Sequence, residues 1–321
     1  MDLNWLVQEV VGYRNHKGEL EFQQLDALGT GGKLLVTDSP LVKELQQKAP
    51  QLFKEKKGWN AWDPALKLLI GVGGLLLVIG IAFYIWALPW IGSKLADYFP
   101  RETEIDLGRS MLPSAIAMYE VDSEKTVTIN RFYKSLDVQS DYPIQITVVK
   151  SEDLNAFAIP GGQIVVYDAL LEDMKTPAEL VALLAHEGTH ITQRHTLKSI
   201  FHQSSRQLFW YFLLGSHSGI AGFLVDQGEN LKNLGYSRTL ETEADTKGMQ
   251  MMVRAGVNPN GMLQLMELLD KNRSAQEPPA LFSTHPLLEE RKKLIKQMLP
   301  KWKQRFPEQP VLNELFHQLY E

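Results

Sequence analysis

The chain contains no cysteine. Disulfide bonds, thiolate metal sites and thiol catalysis are therefore excluded, while the redox compartment stays open because a cysteine-free chain suits either environment. A positive charge excess is also missing: 33 lysines and arginines against 38 aspartates and glutamates leave a formal net charge of −5. Nothing in that balance points to a nucleic-acid partner. No internal repeat or low-complexity tract is present. Gly29-Thr30-Gly31-Gly32-Lys33 is an incomplete phosphate loop, since Ala27 stands where the leading glycine belongs and Leu34 follows the lysine. A plain turn is the better reading.

A local absence is more informative. Leu68 to Leu88 is a run of 21 residues without a charge, and as a helix it would measure about 31 Å, the thickness of a bilayer's hydrocarbon core. Trp59 and Trp62 before it, and Trp86 and Trp90 near its other end, resemble interfacial belts. The run begins too far into the chain for a cleaved signal peptide, so it predicts one retained membrane helix in contact with the lipid bilayer. Lys48, Lys54, Lys56, Lys57 and Lys67 precede or open it, whereas Lys94 and Arg101 follow. That bias predicts a cytoplasmic N-terminus and a catalytic domain outside, as in a single-pass protein of a bacterial inner membrane.

Of the residues present, His186-Glu187-Gly188-Thr189-His190 carry the most chemistry. Two histidines four residues apart share a helix face, so both imidazoles can reach one metal ion, and this HExxH pattern places a glutamate where it can take a proton from a metal-bound water. The local sequence supports a helix. Thr176-Pro177-Ala178-Glu179 reads as a capping box with proline at the first helical position, and Leu180 to Ala185 is apolar on nearly every side.

A third ligand must come from elsewhere. His195 lies nine residues after His186, about 180° around a continuing helix, and reads as a surface or packing histidine. The better candidate is in Tyr236-Ser237-Arg238-Thr239-Leu240-Glu241-Thr242-Glu243-Ala244-Asp245. Glu241 and Asp245 are four apart, so Glu241 could bind zinc while Asp245 accepts a hydrogen bond from a ligand histidine. Glu243 would point elsewhere, solvated or paired.

With these boxes the chain resembles the gluzincin metallopeptidases that include CAAX prenyl endopeptidases and HtpX-type membrane proteases. The resemblance covers roughly residues 100 to 300. It rests on His186 to His190, on the Ser237-Arg238 to Asp245 box, on Asn155-Ala156-Phe157-Ala158-Ile159-Pro160-Gly161-Gly162, and on Ser283-Thr284-His285-Pro286 with Arg291. It implies one zinc ion on His186, His190 and Glu241, with Glu187 as the acid/base. His285 has three readings: a turn residue before Pro286, an oxyanion stabiliser, or a fourth zinc ligand that blocks the resting site. The family favours a place near the metal. Arg291 could orient that loop, pair with a carboxylate, or be a solvated helix-face arginine.

The flanking segments complete the expected fold. Pro143 to Val149 alternates and is β-branched, which predicts a strand, and Ala156–Ile159 with Gln163–Tyr167 across Pro160-Gly161-Gly162 predicts a hairpin. An edge strand near Ala156–Ile159 could hold an extended polypeptide substrate by main-chain hydrogen bonds, or could be purely structural. A second apolar run, Leu208 to Val225, is interrupted by Gly215-Ser216-His217-Ser218. One crossing there would separate the proposed ligands across the bilayer, so it predicts a helix that packs over the site or dips into the interface. His217 reads as a loop residue. Leu41 to Lys57 predicts an amphipathic helix, Glu102 to Glu120 another, the helix past Arg291 should stop by Leu299 before Pro300, and Val311 to Tyr320 should dock on the domain.

The expected architecture is α+β and mostly helical. A zincin-type metalloprotease domain would carry a small hairpin or sheet beside the HExxH helix and follow one transmembrane helix. Residues 1–64 would form a cytosolic segment, 65–92 the membrane helix, 93–300 the protease domain and 301–321 a helical tail. The expected activity is zinc-dependent endoproteolysis, with His285 or Tyr236 helping zinc to steady the oxyanion. Quality control of membrane or envelope proteins is the favoured role, because prenylated-peptide processing needs a chamber of several spans. The rival from another class is a zinc-gated chaperone or assembly factor that binds unfolded clients without cutting them.

Overall fold

The computed structural model describes residues 10–14, 20–24, 33–36, 40–48, 63–214, 219–271, 285, 288–302 and 304–320. The incomplete phosphate loop at 29–32 and His217 lie outside them. Two compact units emerge, Met1–Ile79 and Gly80–Glu321. The first holds an antiparallel meander of β1 (Val10–Arg14), β2 (Leu20–Gln24) and β3 (Lys33–Val36), then α1 (Pro40–Lys48) and the start of α2 (Pro64–Ala82). The sequence patterns predicted α1 but not the three strands.

Helix α2 continues through a π-helical turn at Phe83–Ala87 into α3 (Leu88–Leu95) and a 3-10 turn at Ala96–Tyr98. This uninterrupted Pro64–Tyr98 stretch is the one candidate membrane span among the described residues, and none of its most apolar part is buried. Leu68, Leu75, Leu76 and Leu77 all stand more than half exposed. In water that apolar surface would be strongly disfavoured.

The second unit is mostly helical around one four-stranded sheet of order β4-β5-β7-β6. Its strands are β4 (Glu120–Val121), β5 (Gln145–Lys150), β6 (Ala156–Ile159) and β7 (Gln163–Tyr167). β5 and β7 run parallel, while β4 with β5 and β6 with β7 are antiparallel. The predicted strand and hairpin are both present, with Ala156 opposite Val166 and Ile159 opposite Gln163.

The alternation of the strands divides the interior into two cores. Ile146, Val148, Ala156, Ala158, Ile164 and Val166 face one core, shared with α5 (Ser123–Ser135) and α7 (Pro177–Thr192). Val149, Phe157, Ile159, Val165 and Tyr167 face the other, shared with α4 (Arg101–Ala115) and α8 (His195–Leu213). A sheet covered on both faces needs continuous apolar strands, as in Gln163-Ile164-Val165-Val166-Tyr167.

The β6–β7 turn is fixed by glycine. Gly161 has φ +78°, open to glycine and costly for other residues, and its α-carbon lies against the backbone of Glu104 and Ile105 on α4. Gly108 on the same helix approaches so closely that a Cβ would stand 1.8 Å from the Pro160 carbonyl oxygen. The remaining helices are α6 (Asp168–Asp173), α9 (Gly219–Val225), α10 (Arg238–Arg254), α11 (Asn260–Lys271), α12 (Leu288–Met298) and α13 (Pro310–His317). α12 stops before Pro300, and α13 buries Leu312, Leu315 and Phe316 in the first core, so the C-terminal stretch docks as expected.

Candidate metal centre

Helix α7 starts where its sequence says it should. Thr176 Oγ1 accepts from the Glu179 backbone N–H at 3.3 Å, and Glu179 Oε2 accepts from the Thr176 N–H at 3.2 Å, the reciprocal pairs of a capping box. Every residue from Glu179 to Ile191 is buried. A helix begun at Thr176 and buried throughout carries His186, Glu187 and His190 to one fixed place. α10, capped by Ser237 accepting from the Leu240 N–H, packs beside it and brings Glu241 and Asp245.

Four donor atoms converge there: one each from His186, His190, Glu241 and His285. His186 Nε2 is 3.1 Å from His190 Nε2 and 3.3 Å from His285 Nδ1. Glu241 Oε1 is 2.9 Å from His285 Nδ1 and 3.4 Å from His190 Nε2. Zinc with nitrogen and oxygen ligands at about 2.0–2.1 Å has tetrahedral edges of about 3.3–3.4 Å. The spacing and chemistry of the four donors suit that ion. His285 supplies the fourth donor atom of this set.

The outer contacts bind both helices and α12 into one network. His186 Nδ1 sits 3.0 Å from Asp245 Oδ1, the hydrogen bond expected of a metal-binding imidazole. Arg291 donates from Nε and Nη2 to Asp245 at 2.7 and 2.6 Å, and its Nη1 lies 2.7 Å from Glu241 Oε2. Burial opposes charge on both carboxylates, yet His285 and Arg291 hold Glu241 well below the usual range, and Arg291 with His186 does the same for Asp245. Arg291 in turn is held above its ordinary value by the same pair, despite its own burial. Of its three sequence readings, the carboxylate partner is the one seen.

Burial, with His186 adding repulsion, pushes His190 well below its ordinary value and so favours the neutral imidazole that binds metal. Its ring stacks on Tyr236 with centroids 3.9 Å apart. The Tyr236 hydroxyl is 3.0 Å from Thr196 Oγ1, so that phenol is engaged away from the cluster. Burial also opposes charge on His285, but the Glu241 and Glu187 carboxylates outweigh it and raise its pKa.

Glu187 is fully buried, and neither carboxylate oxygen has a hydrogen-bond partner among the described residues. Its nearest charged neighbour is His285 Nε2, at 3.8 Å. A buried carboxylate left bare beside a metal-ligand set is what a site built for water and a reacting carbonyl requires. The adjoining cavity measures about 10 Å³ and is lined by Leu183, Leu265, Met266, Leu269 and His285 among others. It has room for about one water and none for a peptide.

His195 corrects one geometric premise. α7 ends at Thr192, Arg194 turns the chain with φ +59°, and His195 opens α8 rather than continuing the same helix. It is a buried packing histidine as expected, but its Nδ1 lies 3.1 Å from His190 Nδ1 and its Nε2 3.3 Å from Glu243 Oε2. Glu243, read as solvated or paired, pairs with His195 and with Lys247 at 2.7 Å. Motif spacing passed over Arg194, which donates to Glu104 Oε2 at 2.8 Å and to the Asp97 and Phe99 carbonyls. Its positive φ and its partners, 90 or more residues away, leave no local pattern.

Residues 123–299, more than half of the chain, match peptidase family M48. The chain belongs to peptidase family M48. That match encloses every residue of the cluster, and the M48 zincin-type domain is the fold the motif boxes predicted. Among relatives, a protein named beta-barrel assembly-enhancing protease from Yersinia pestis is 30% identical over 224 residues, 64% of this chain and 45% of that protein. Mitochondrial metalloendopeptidase OMA1 of Schizosaccharomyces pombe is 30% identical over 216 residues, covering 65% of this chain and 61% of its own. The bovine metalloendopeptidase OMA1 is 29% identical over 286 residues, 78% of this chain and 52% of that one. The chain thus spans about half the length of such relatives. Family M48 is a family of peptidases, and the cluster of four donors is compatible with a metal ion.

Proposed function

We propose that this chain is a membrane-anchored zinc endopeptidase whose resting site is closed by His285. The carrying observation is the convergence of His186, His190, Glu241 and His285 beside the unpartnered Glu187 carboxylate. A zinc ion held there supplies a Lewis acid and lowers the pKa of a water it binds. Displacement of His285 would open room beside Glu187, where the cavity now measures about 10 Å³. Glu187 then takes the proton of the attacking water on a carboxylate oxygen and delivers it to the leaving amine nitrogen. Asp245 and Arg291 keep His186 and Glu241 aimed throughout.

In this reading an extended polypeptide substrate would lie along β6, the sheet-edge strand, where main-chain hydrogen bonds accept varied side chains. Relatives named for β-barrel assembly and for mitochondrial proteolysis support membrane or envelope quality control as the setting. The lysine bias before the apolar helix supports a bacterial inner membrane with the catalytic unit outside.

The test is full-length protein in detergent with zinc, assayed for metal content and casein cleavage with and without chelator. Wild type should bind one zinc and give chelator-sensitive fragments, while Glu187→Gln should keep the zinc and lose cleavage. Wild-type cleavage by Glu187→Gln would remove that residue from the mechanism. A closed ligand shell also favours a second reading, a zinc-gated chaperone. Client binding without any fragments, even from a His285→Ala variant, would establish that reading instead.

A further inference from the structure

Helix α8 runs antiparallel to the end of the apolar helix. A Cβ on Gly92 would stand 2.5 Å from the Phe201 carbonyl oxygen and 3.0 Å from Ser205 Cβ, so α3 and α8 meet there backbone to backbone. Further along, the Tyr84 ring lies 6.4 Å from Phe209, and Trp210 Nε1 donates to the Tyr84 hydroxyl at 3.3 Å. Numbers fall from 92 to 84 on one helix while they rise from 201 to 210 on the other.

The exposed surface of α8 changes character along this pairing. His202, Gln203, Arg206 and Gln207 face outward in its middle. Beyond them Trp210, Leu213 and Leu214 are 47%, 62% and 76% exposed. In sequence, no Asp, Glu, Lys or Arg occurs between Arg206 and Asp226. On the neighbouring helix, Tyr84 and the exposed Trp86 lie within the stretch from Leu68 to Ser93, which carries no charge. Charge last appears at Lys94 on one helix and at Arg206 on the other, and past the Tyr84–Trp210 pair, away from those charges, both helices expose apolar side chains such as Ile81, Leu213 and Leu214. Aromatic side chains with a polar edge mark that level, as they do at membrane interfaces.

We propose that the C-terminal end of α8 is a second membrane contact, dipping into the lipid beside the spanning helix by about one turn past Trp210. At 1.5 Å per residue, Leu213 and Leu214 reach roughly 5–6 Å below the Tyr84–Trp210 level, the depth typical of interfacial helices. The occupant is lipid because this surface adjoins the exposed, uncharged turn at Tyr84–Trp86 and itself lacks charge to meet a polar partner. One contact would leave the catalytic unit free to swivel about its anchor. Two contacts on adjacent helices fix its tilt. They also hold His195, which touches His190, no more than about 22 Å from the interface along α8.

The inference rests on reading Pro64–Tyr98 as a membrane span, and its test separates the two. The native chain has no cysteine, so single-cysteine variants of the full protein carry one spin label each. Leu214→Cys probes the dip, the exposed Leu76→Cys the span and Glu308→Cys the aqueous surface. In vesicles of phosphatidylethanolamine and phosphatidylglycerol, collision with oxygen and with a neutral nickel chelate is measured for each. Labels at 214 and 76 should favour oxygen by several-fold over the label at 308. If the 214 label behaves like that at 308 while 76 stays lipidic, the dip is overturned and the span stands. A 214 label shielded from both reagents means protein covers the surface, which also overturns the dip. Aqueous behaviour at both 76 and 214 overturns the span and this inference with it.

Discussion

Arg291 closes two hydrogen bonds on Asp245, at 2.7 and 2.6 Å, across 46 residues of sequence. The same guanidinium reaches Glu241, so one cation joins the carboxylate that faces the metal position to the carboxylate that orients His186. All three groups are at least 94% buried. Removing the cation would strand two negative charges where water cannot reach them.

Arg291→Met should therefore destabilise the protein by about 3–5 kcal/mol and weaken zinc binding by about 10–100-fold. Arg291→Lys keeps the charge but not the forked geometry, and should fall between Met and wild type. Urea unfolding in chelator, with zinc competition against a fluorescent indicator, reads both quantities. Unchanged zinc affinity in both variants would show that Arg291 does not organise the ligands.

His285→Ala should raise peptide cleavage several-fold while zinc affinity drops, because a fourth ligand is exchanged for water. Steady-state cleavage and zinc Kd on the same samples distinguish the readings of this residue. A fall in cleavage with Kd unchanged would assign His285 to the oxyanion rather than to closure.

Gly108→Ala is a small change, yet its Cβ would overlap the Pro160 carbonyl at 1.8 Å. Moving the turn displaces β6 and β7 together. A loss of about 1–3 kcal/mol in unfolding free energy is expected, against almost none for Ala at exposed Arg109 on the same helix. Equal stability of the two variants would contradict the tight α4–turn contact.

Stability without metal should depend on His195. Burial lowers its pKa from 6.5 to about 4. The unfolded chain then takes up this proton near pH 6.5 and the folded chain only near 4. Between those values the unfolded state binds more protons, so stability falls as pH drops through the window, with about 3 kcal/mol of that loss from this one group. Urea unfolding in chelator from pH 7.5 to 4 should show the slope, and His195→Phe should flatten it by close to one proton. A variant with the wild-type slope would assign the titration elsewhere.

Several features were readable before any coordinates because their causes are local. The start of α7 follows from Thr176, Pro177 and Glu179, each acting on backbone groups within three residues. The β6–β7 hairpin follows from Pro160-Gly161-Gly162 between β-branched runs, and the pairing of His186 with His190 follows from the helical repeat. The three strands of the first unit escaped notice, since Val10–Arg14 and Leu20–Gln24 are short and carry polar residues on weak alternation. His195 leaves the line of α7 because the chain turns at Arg194, whose backbone is left-handed and whose side chain pairs with Glu104 on another helix.

Alone, the sequence determined the chemistry on offer: two imidazoles and a carboxylate at helical spacing, a second acidic helix, an uncharged run long enough to cross a bilayer, and no thiol. It did so because helix capping, helical periodicity and hydrophobic length are properties of neighbouring residues. Only the tertiary structure decided that His285 sits beside His186 and Glu241, that Arg291 ties Glu241 to Asp245, and that Glu187 is left bare. Those are meetings of side chains 44 to 105 residues apart, fixed by how α7, α10 and α12 pack around a common core, and no local rule specifies such packing.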